Sequence, residues 1–240
     1  MPPALQSFFW LLVTQRCRMQ AFTIDLSGVP PAIQQVIANH LLNERPSRAP
    51  DYKAEVEATT EVIKALRETP TSVLTTLSYA VKRLTGADSA GVSLSGRDDG
   101  NRILLWQAAV GLFEKYLGSV VPHSESPCGS VIETDSLTLM VDPAKAYKTA
   151  AQIDPPMREV LLVPFHVDGR VAGTVWVISQ STKTFDAEDA RLATNISELA
   201  ALAYQVLTRL GDMELLSRTV QLSADSHFMQ RTLTPVRKAA

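Results

Sequence analysis

The chain has 240 residues, 45% hydrophobic and 20% charged, an ordinary composition for a globular protein with a sizeable core. A net charge of −2 gives no basic footprint for nucleic acid. Two cysteines, Cys17 and Cys128, are too few for a disulfide framework or a cysteine-rich zinc site, and they fit a reducing cytoplasm.

The apolar run at residues 8–13 falls far short of the ~20 residues that span a bilayer. Arg16 and Arg18 follow that run rather than precede it, which is the wrong order for a secretory signal. The reading is therefore no membrane anchor. Residues 1–51 read as a partly disordered extension, with one short helix over 33–42 between connectors that carry Gly28, Pro30, Pro31, Pro46 and Pro50.

A helix is expected over 52–68, where Tyr52, Val56, Thr59, Ile63 and Leu66 follow a 4-3 spacing suited to packing lengthwise on another helix. Thr69-Pro70 restarts the chain as a cap followed by proline. The next helix uses Val73, Leu77, Ala80, Val81 and Leu84 as its buried stripe and stops at Gly86. Residues 87–94 and 103–109 read as strands joined by the turn Asp98-Asp99-Gly100-Asn101.

A loop-rich insertion follows over 111–156, with a short strand at 137–141 and a short helix opened by Asp142-Pro143. Connections this long inside a compact domain are usually functional. Two β-branched runs over 160–177 then flank Asp168-Gly169, a type I′ hairpin signal. With that turn, Phe165 is expected opposite Ala172, and Leu161, Val163, Phe165, Ala172, Thr174 and Trp176 share one face. Both faces are apolar, so the hairpin belongs in a sheet covered on both sides.

Asp186 caps a final helix, with Glu188 and Asp189 near its positive end. Leu192, Ile196, Leu199, Ala203, Val206 and Leu210 give a second 4-3 seam, and Met213 and Val220 keep its frame past Gly211. Residues 208–240 read as a helical tail, frayed at its end. The fold class is α+β: an antiparallel sheet with terminal helices on one face and loops on the other.

Residues 86–94, Ser126-Pro-Cys-Gly129, 155–165, Asp168-Gly169, 173–176 and 185–189, in this order and spacing, make the chain resemble a GAF domain. They resemble a bacterial subgroup found upstream of histidine kinase or other output domains. The likeness spans about residues 70–205, within a sensory domain placed at 69–207. It implies a sheet of about six strands and a small-molecule pocket between sheet and insertion. It also implies a homodimer formed through the terminal helices, consistent with the two seams. About 35 residues follow Gln205, so the expectation is output through a partner such as a histidine kinase, or else a stand-alone or truncated sensor.

By position, Trp106, His123, Ser126, Cys128 and Phe165 are the candidate ligand-binding residues, and the ligand or cofactor stays unknown. Trp176 is read as core. Cys128 is read as a small buried hydrophobe in preference to a reactive or bilin-attaching thiol: Gly129 follows it where a phytochrome-like domain has histidine, and Cys17 is a poor relay partner. His123, His166 and Cys128 lack the convergence of a zinc site, and His227 lacks the nucleotide-binding unit of a phosphoacceptor. GxGxxG, GxxxxGK and HExxH are all missing, and Gly91-Val-Ser-Leu-Ser95 falls one residue short of a nucleophile elbow. The expectation is a cytoplasmic sensor without catalytic activity, with two alternatives: a redox- or bilin-linked sensor using Cys128, or a pocketless dimerisation module.

Overall fold

The structure is a computed structural model that describes residues 22–182 and 184–209. The expectations for the run at 8–13, Cys17, the helical frame beyond Leu210 and His227 fall outside those residues. Six strands form one antiparallel sheet: β1 (Ser89–Asp98), β2 (Asn101–Gly111), β3 (Val120–Pro122), β4 (Thr138–Val141), β5 (Glu159–Val167) and β6 (Arg170–Ser179). Their spatial order is β3-β2-β1-β6-β5-β4. Both tight hairpins use an Asp-Gly pair in the left-handed region, Asp99 (φ 46°) with Gly100 (83°) and Asp168 (50°) with Gly169 (71°), as the right-handed twist of the flanking strands demands.

The β5–β6 register departs from the expected one. Val167 faces Arg170, but Phe165 faces Gly173 rather than Ala172, because a bulge leaves Ala172 as an extra residue. One inserted residue reverses the faces beyond it. Trp176 therefore shares a face with Leu162, while Phe165 shares the other with Val175 and Val177. A second bulge leaves Gln107 extra between the Val92–Ala108 and Ser93–Trp106 pairs. It turns Trp106 to the same face as Trp176.

One face carries α3 (Tyr52–Glu68), α4 (Val73–Thr85) and α7 (Ala187–Arg209). In α4, Val73, Leu77, Ala80 and Val81 are buried as expected, with Leu74 added to the stripe. The helix stops at Gly86 in the left-handed region. Asp186 and Asp189 form a reciprocal cap on α7, each amide donating to the other's carboxylate at 3.0 Å.

The two 4-3 seams behave differently. Ile196 and Ala203 of α7 are buried in the chain's own core and Leu192 is only 4% exposed, so these positions are not held out for a partner. In α3 the inward residues are Ala58, Val62 and Ala65, and Tyr52, Val56 and Ile63 of the seam are exposed by 65%, 64% and 52%.

The expected helix over 33–42 is two short helices, α1 (Pro31–Gln34) and α2 (His40–Glu44). An unpaired sheet edge interrupts it. Ile37 bridges Met140 of β4, the Ala38 amide donates to Leu139 O, and the Val141 amide donates to Val36 O, both at 2.8 Å. The strap continues into two ion pairs. Arg45 holds Glu159, which is fully buried, through two bonds of 2.7 and 2.9 Å, and Arg48 holds Asp189 at 2.6 Å.

Candidate functional site

The second face of the sheet is covered by the insertion and by the strap residues Ile33 and Val36. The insertion packs β3, α5 (Pro127–Thr134), β4, α6 (Lys148–Ala151) and three single 3₁₀ turns into 46 residues (111–156), which explains why it reads as loop-rich. Ser126 caps α5, its hydroxyl accepting from the Cys128 amide at 3.2 Å, with Pro127 in the first turn. Gly129 is required by close approach: a Cβ there would lie 1.8 Å from His123 O.

The loop after α6 is tied down by Tyr116, whose hydroxyl donates to Asp154 O at 3.1 Å and accepts from Asp154 N at 3.0 Å. Thr149 donates to Glu125 O. Tyr147 donates to Ser130 Oγ at 2.7 Å, and burial raises its phenol to about 12. These bonds hold the wall of the insertion against the sheet.

Between wall and sheet lies a cavity lined by Trp106, Ser126, Cys128, Thr149, Ala150, Ile153, Met157, Val160, Leu162, Trp176 and Ile178, with Val121 and Pro127. Its free space is about 380 Å³ with the mouth included, of which about 20 Å³ can seat the centre of a water-sized molecule. That smaller figure is room for about one water. The two tryptophans lie side by side, ring centroids 4.8 Å apart and tilted by 46°.

Trp176 rests across Gly91, where a Cβ would meet Trp176 Cζ2 and Ala108 O at 2.2 Å each. Trp176 Nε1 donates to Ser93 Oγ at 3.0 Å, and the Cys128 thiol reaches the same oxygen at 3.7 Å. Trp106 Nε1 is buried without a hydrogen-bond partner among the described residues.

Three of the five expected residues, Trp106, Ser126 and Cys128, line this cavity. Phe165 does not. The Ala172 bulge puts it on the helix face, 6.3 Å from the Tyr204 ring of α7, so its placement beside the pocket is corrected. His123 is buried but borders a separate, open cleft with about 1090 Å³ of free space, of which about 540 Å³ can seat the centre of a water-sized molecule, lined by Asp25, Ser27, Gly28, Ser130 and Glu133, among others. Trp176, expected to be only core, is both core and cavity wall. Ile153, Met157, Val160 and Ile178 carried no signal in sequence, since apolar loop and strand residues look alike wherever they end up.

Electrostatics here favour neutral groups. His123 Nε2 sits 2.9 Å from Arg102 Nη2, and a guanidinium only donates, so this imidazole is neutral with its proton on Nδ1. Burial lowers its pKa first and Arg102 lowers it further, against a smaller pull from Glu133. Burial pushes the Cys128 thiol above its usual range. His166 is paired with Asp135 at 2.8 Å on the surface. No cluster of three or more His, Cys, Asp or Glu able to hold a metal occurs among the described residues. No helix among them is long and apolar enough to cross a membrane.

Comparison with known proteins agrees with this architecture. The family model of the GAF domain matches residues 68–205. No curated protein matches the chain. Among solved structures, the chain is similar to the GAF domain of a phosphoenolpyruvate-protein phosphotransferase from Coxiella burnetii, with TM-score 0.59 and 15% identity over 68% of this chain and 99% of that one. The corresponding Acinetobacter GAF domain gives 0.55 and 15% over 67% and 97%. A free methionine-R-sulfoxide reductase from Neisseria meningitidis, in complex with its substrate, gives 0.54 and 16% over 69% and 97%. At these identities the likeness is one of fold.

Proposed function

The chain belongs to the GAF domain family, small-molecule-binding sensory and regulatory modules of signalling proteins, and from that membership we propose that its ligand sits in the Trp106–Trp176 cavity. The observation that carries this reading is the cavity itself, enclosed between sheet and insertion and walled by Trp106, Cys128 and Trp176. Mostly apolar, enclosed sites with few polar groups suit small ligands. The role is binding rather than catalysis: Cys128 is buried and held protonated by its surroundings, a poor nucleophile or relay thiol.

The signal passes through the helices to a second copy of the chain in the cytoplasm and then to an output partner such as a histidine kinase. The outward stripe of Tyr52, Val56 and Ile63 on α3 supports the dimer, because exposed apolar side chains in a row along one helix face favour burial against another helix, although the Tyr52 ring already lies 5.6 Å from the Arg191 guanidinium. Arg191 of α7 supports the coupling. It reaches Glu55 of α3 at 2.7 Å while held by Glu188 of its own helix at 2.7 Å, and so ties α7 to α3. A ligand shifts such an equilibrium only by its difference in affinity for the two arrangements.

Native mass spectrometry of the freshly purified full chain tests this reading. A dimer carrying a reproducible extra mass, lost on denaturation, is the expected result. A bare monomer contradicts both the ligand and the dimer. A mass that survives denaturation replaces noncovalent binding with attachment at a thiol.

A further inference from the structure

If the Trp106–Trp176 cavity is the ligand site, its lining restricts what can enter. None of the residues lining it is charged. The nearby charged groups are spent elsewhere: Arg102 pairs with Glu133 and donates to His123 on the side of the open cleft. An ion brought into such a space loses its hydration with no counter-charge to replace it. The polar groups of the lining are also mostly engaged. Trp176 Nε1 is bonded to Ser93 Oγ, the Cys128 thiol reaches the same hydroxyl, Ser126 Oγ caps α5, and Thr149 donates to a main-chain carbonyl.

Trp106 is different. Its side chain lines the cavity, it is only 6% exposed, and its Nε1–H has no partner among the described residues. A buried N–H without an acceptor is costly, and most such groups in native proteins are paired with protein, water or ligand. Size adds a further restriction, since the space that seats a water-sized centre is about 20 Å³. The wall that can yield is Met157, an unbranched side chain with three rotatable bonds.

We propose that the cavity takes a compact, uncharged molecule no larger than one small ring, whose hydrogen-bond acceptor is met by Trp106 Nε1–H. Trp106 is then the residue that fixes specificity, and Trp176, already committed to Ser93, supplies only an apolar surface. This assignment rests on the binding reading above, and it excludes carboxylates, phosphates, ammonium compounds and zwitterions as ligands of this site.

The test uses four probes of one shape: cyclopentanone, cyclopentane, cyclopentanecarboxylate and cyclopentylammonium. Each is titrated into the full chain labelled with ¹⁵N-tryptophan. The indole N–H signals of Trp10, Trp106 and Trp176 are assigned through Trp10→Phe and Trp106→Phe. The same titrations are run on Met157→Ala, which shortens the yielding wall.

Cyclopentanone is expected to shift the Trp106 signal and bind about 5-fold tighter than cyclopentane. The two ions are expected to bind about 100-fold more weakly than the ketone. Trp106→Phe should abolish the ketone's advantage while leaving cyclopentane binding in place. An ion that binds as tightly as the ketone overturns the assignment of ligand class and leaves the binding reading standing, as does a ketone preference that persists in Trp106→Phe. If no probe moves Trp106 or Trp176 in either protein, the binding reading itself falls.

Discussion

Replacing Arg45 with methionine removes the guanidinium from Glu159 while keeping most of the side-chain volume. Glu159 is fully buried at the start of β5 and also accepts from the Thr184 and Phe185 amides at 3.1 and 3.3 Å. Arg45 itself is 13% exposed, so this pair lies well out of solvent. Breaking one partner of a buried pair costs about 3–5 kcal/mol. The remaining amide bonds place Arg45→Met near the lower end, at about 3 kcal/mol. Glu159→Gln should cost about 2 kcal/mol, because Arg45 keeps its bond of 2.6 Å to Phe185 O.

The double variant should then cost clearly less than the sum, with a coupling of about 2 kcal/mol, inside the range for contacting residues. Urea unfolding read by tryptophan fluorescence and far-UV circular dichroism together measures all four proteins. With a slope of about 2 kcal/mol/M, Arg45→Met moves the midpoint down by about 1.5 M. Coincident transitions by the two signals confirm that the strap unfolds with the domain. A cost below about 1 kcal/mol for Arg45→Met, or a coupling near zero, refutes the claim that this pair fastens the strap to the sheet.

Gly91→Ala should destabilise by about 3 kcal/mol, since the new Cβ meets Trp176 and the immovable Ala108 carbonyl at 2.2 Å; thermal unfolding compared with wild type checks it, and a neutral effect refutes the close approach. In a Cys17→Ser background, Cys128 should react with a disulfide reagent at pH 8 only at the rate of unfolding, because it is only 4% exposed and the reagent cannot reach it in the fold; fast labelling of the native protein would restore the reactive-thiol reading. His123 has its pKa lowered in the fold from 6.5, so the unfolded chain takes up its proton first as pH falls. Its contribution is therefore present above pH 6.5 and lost below it, by at most about 1.4 kcal/mol per pH unit. His123→Gln, which keeps an acceptor for Arg102, should flatten that part of the stability profile between pH 7 and 5; identical profiles would contradict a neutral, buried imidazole.

Local signals were the legible ones. Asp99-Gly100, Asp168-Gly169, the Gly86 stop and the Asp186 cap each fix backbone geometry through a few neighbouring residues, and all lie where the sequence puts them. The bulges at Gln107 and Ala172 were not legible, because either strand alternates acceptably without them and only the pairing partner reveals the extra residue. Missing the second one put Phe165 and Trp176 on one face, whereas they lie on opposite faces of the sheet. The helix expected over 33–42 failed for a similar reason. Its middle is claimed by the edge of β4, about 100 residues away, which no local propensity can report. The 4-3 spacing of α3 was real, but spacing identifies an apolar face without saying whether the chain's own core or another molecule covers it.

The most direct measurement is a crystal structure of the full chain soaked with cyclopentanone. Density for the ring inside the cavity, against Trp176 and with its oxygen within hydrogen-bond reach of Trp106 Nε1, is the predicted result. A ring found only in the open cleft between Ser27 and Glu133, with the Trp106–Trp176 cavity unchanged, would contradict the account.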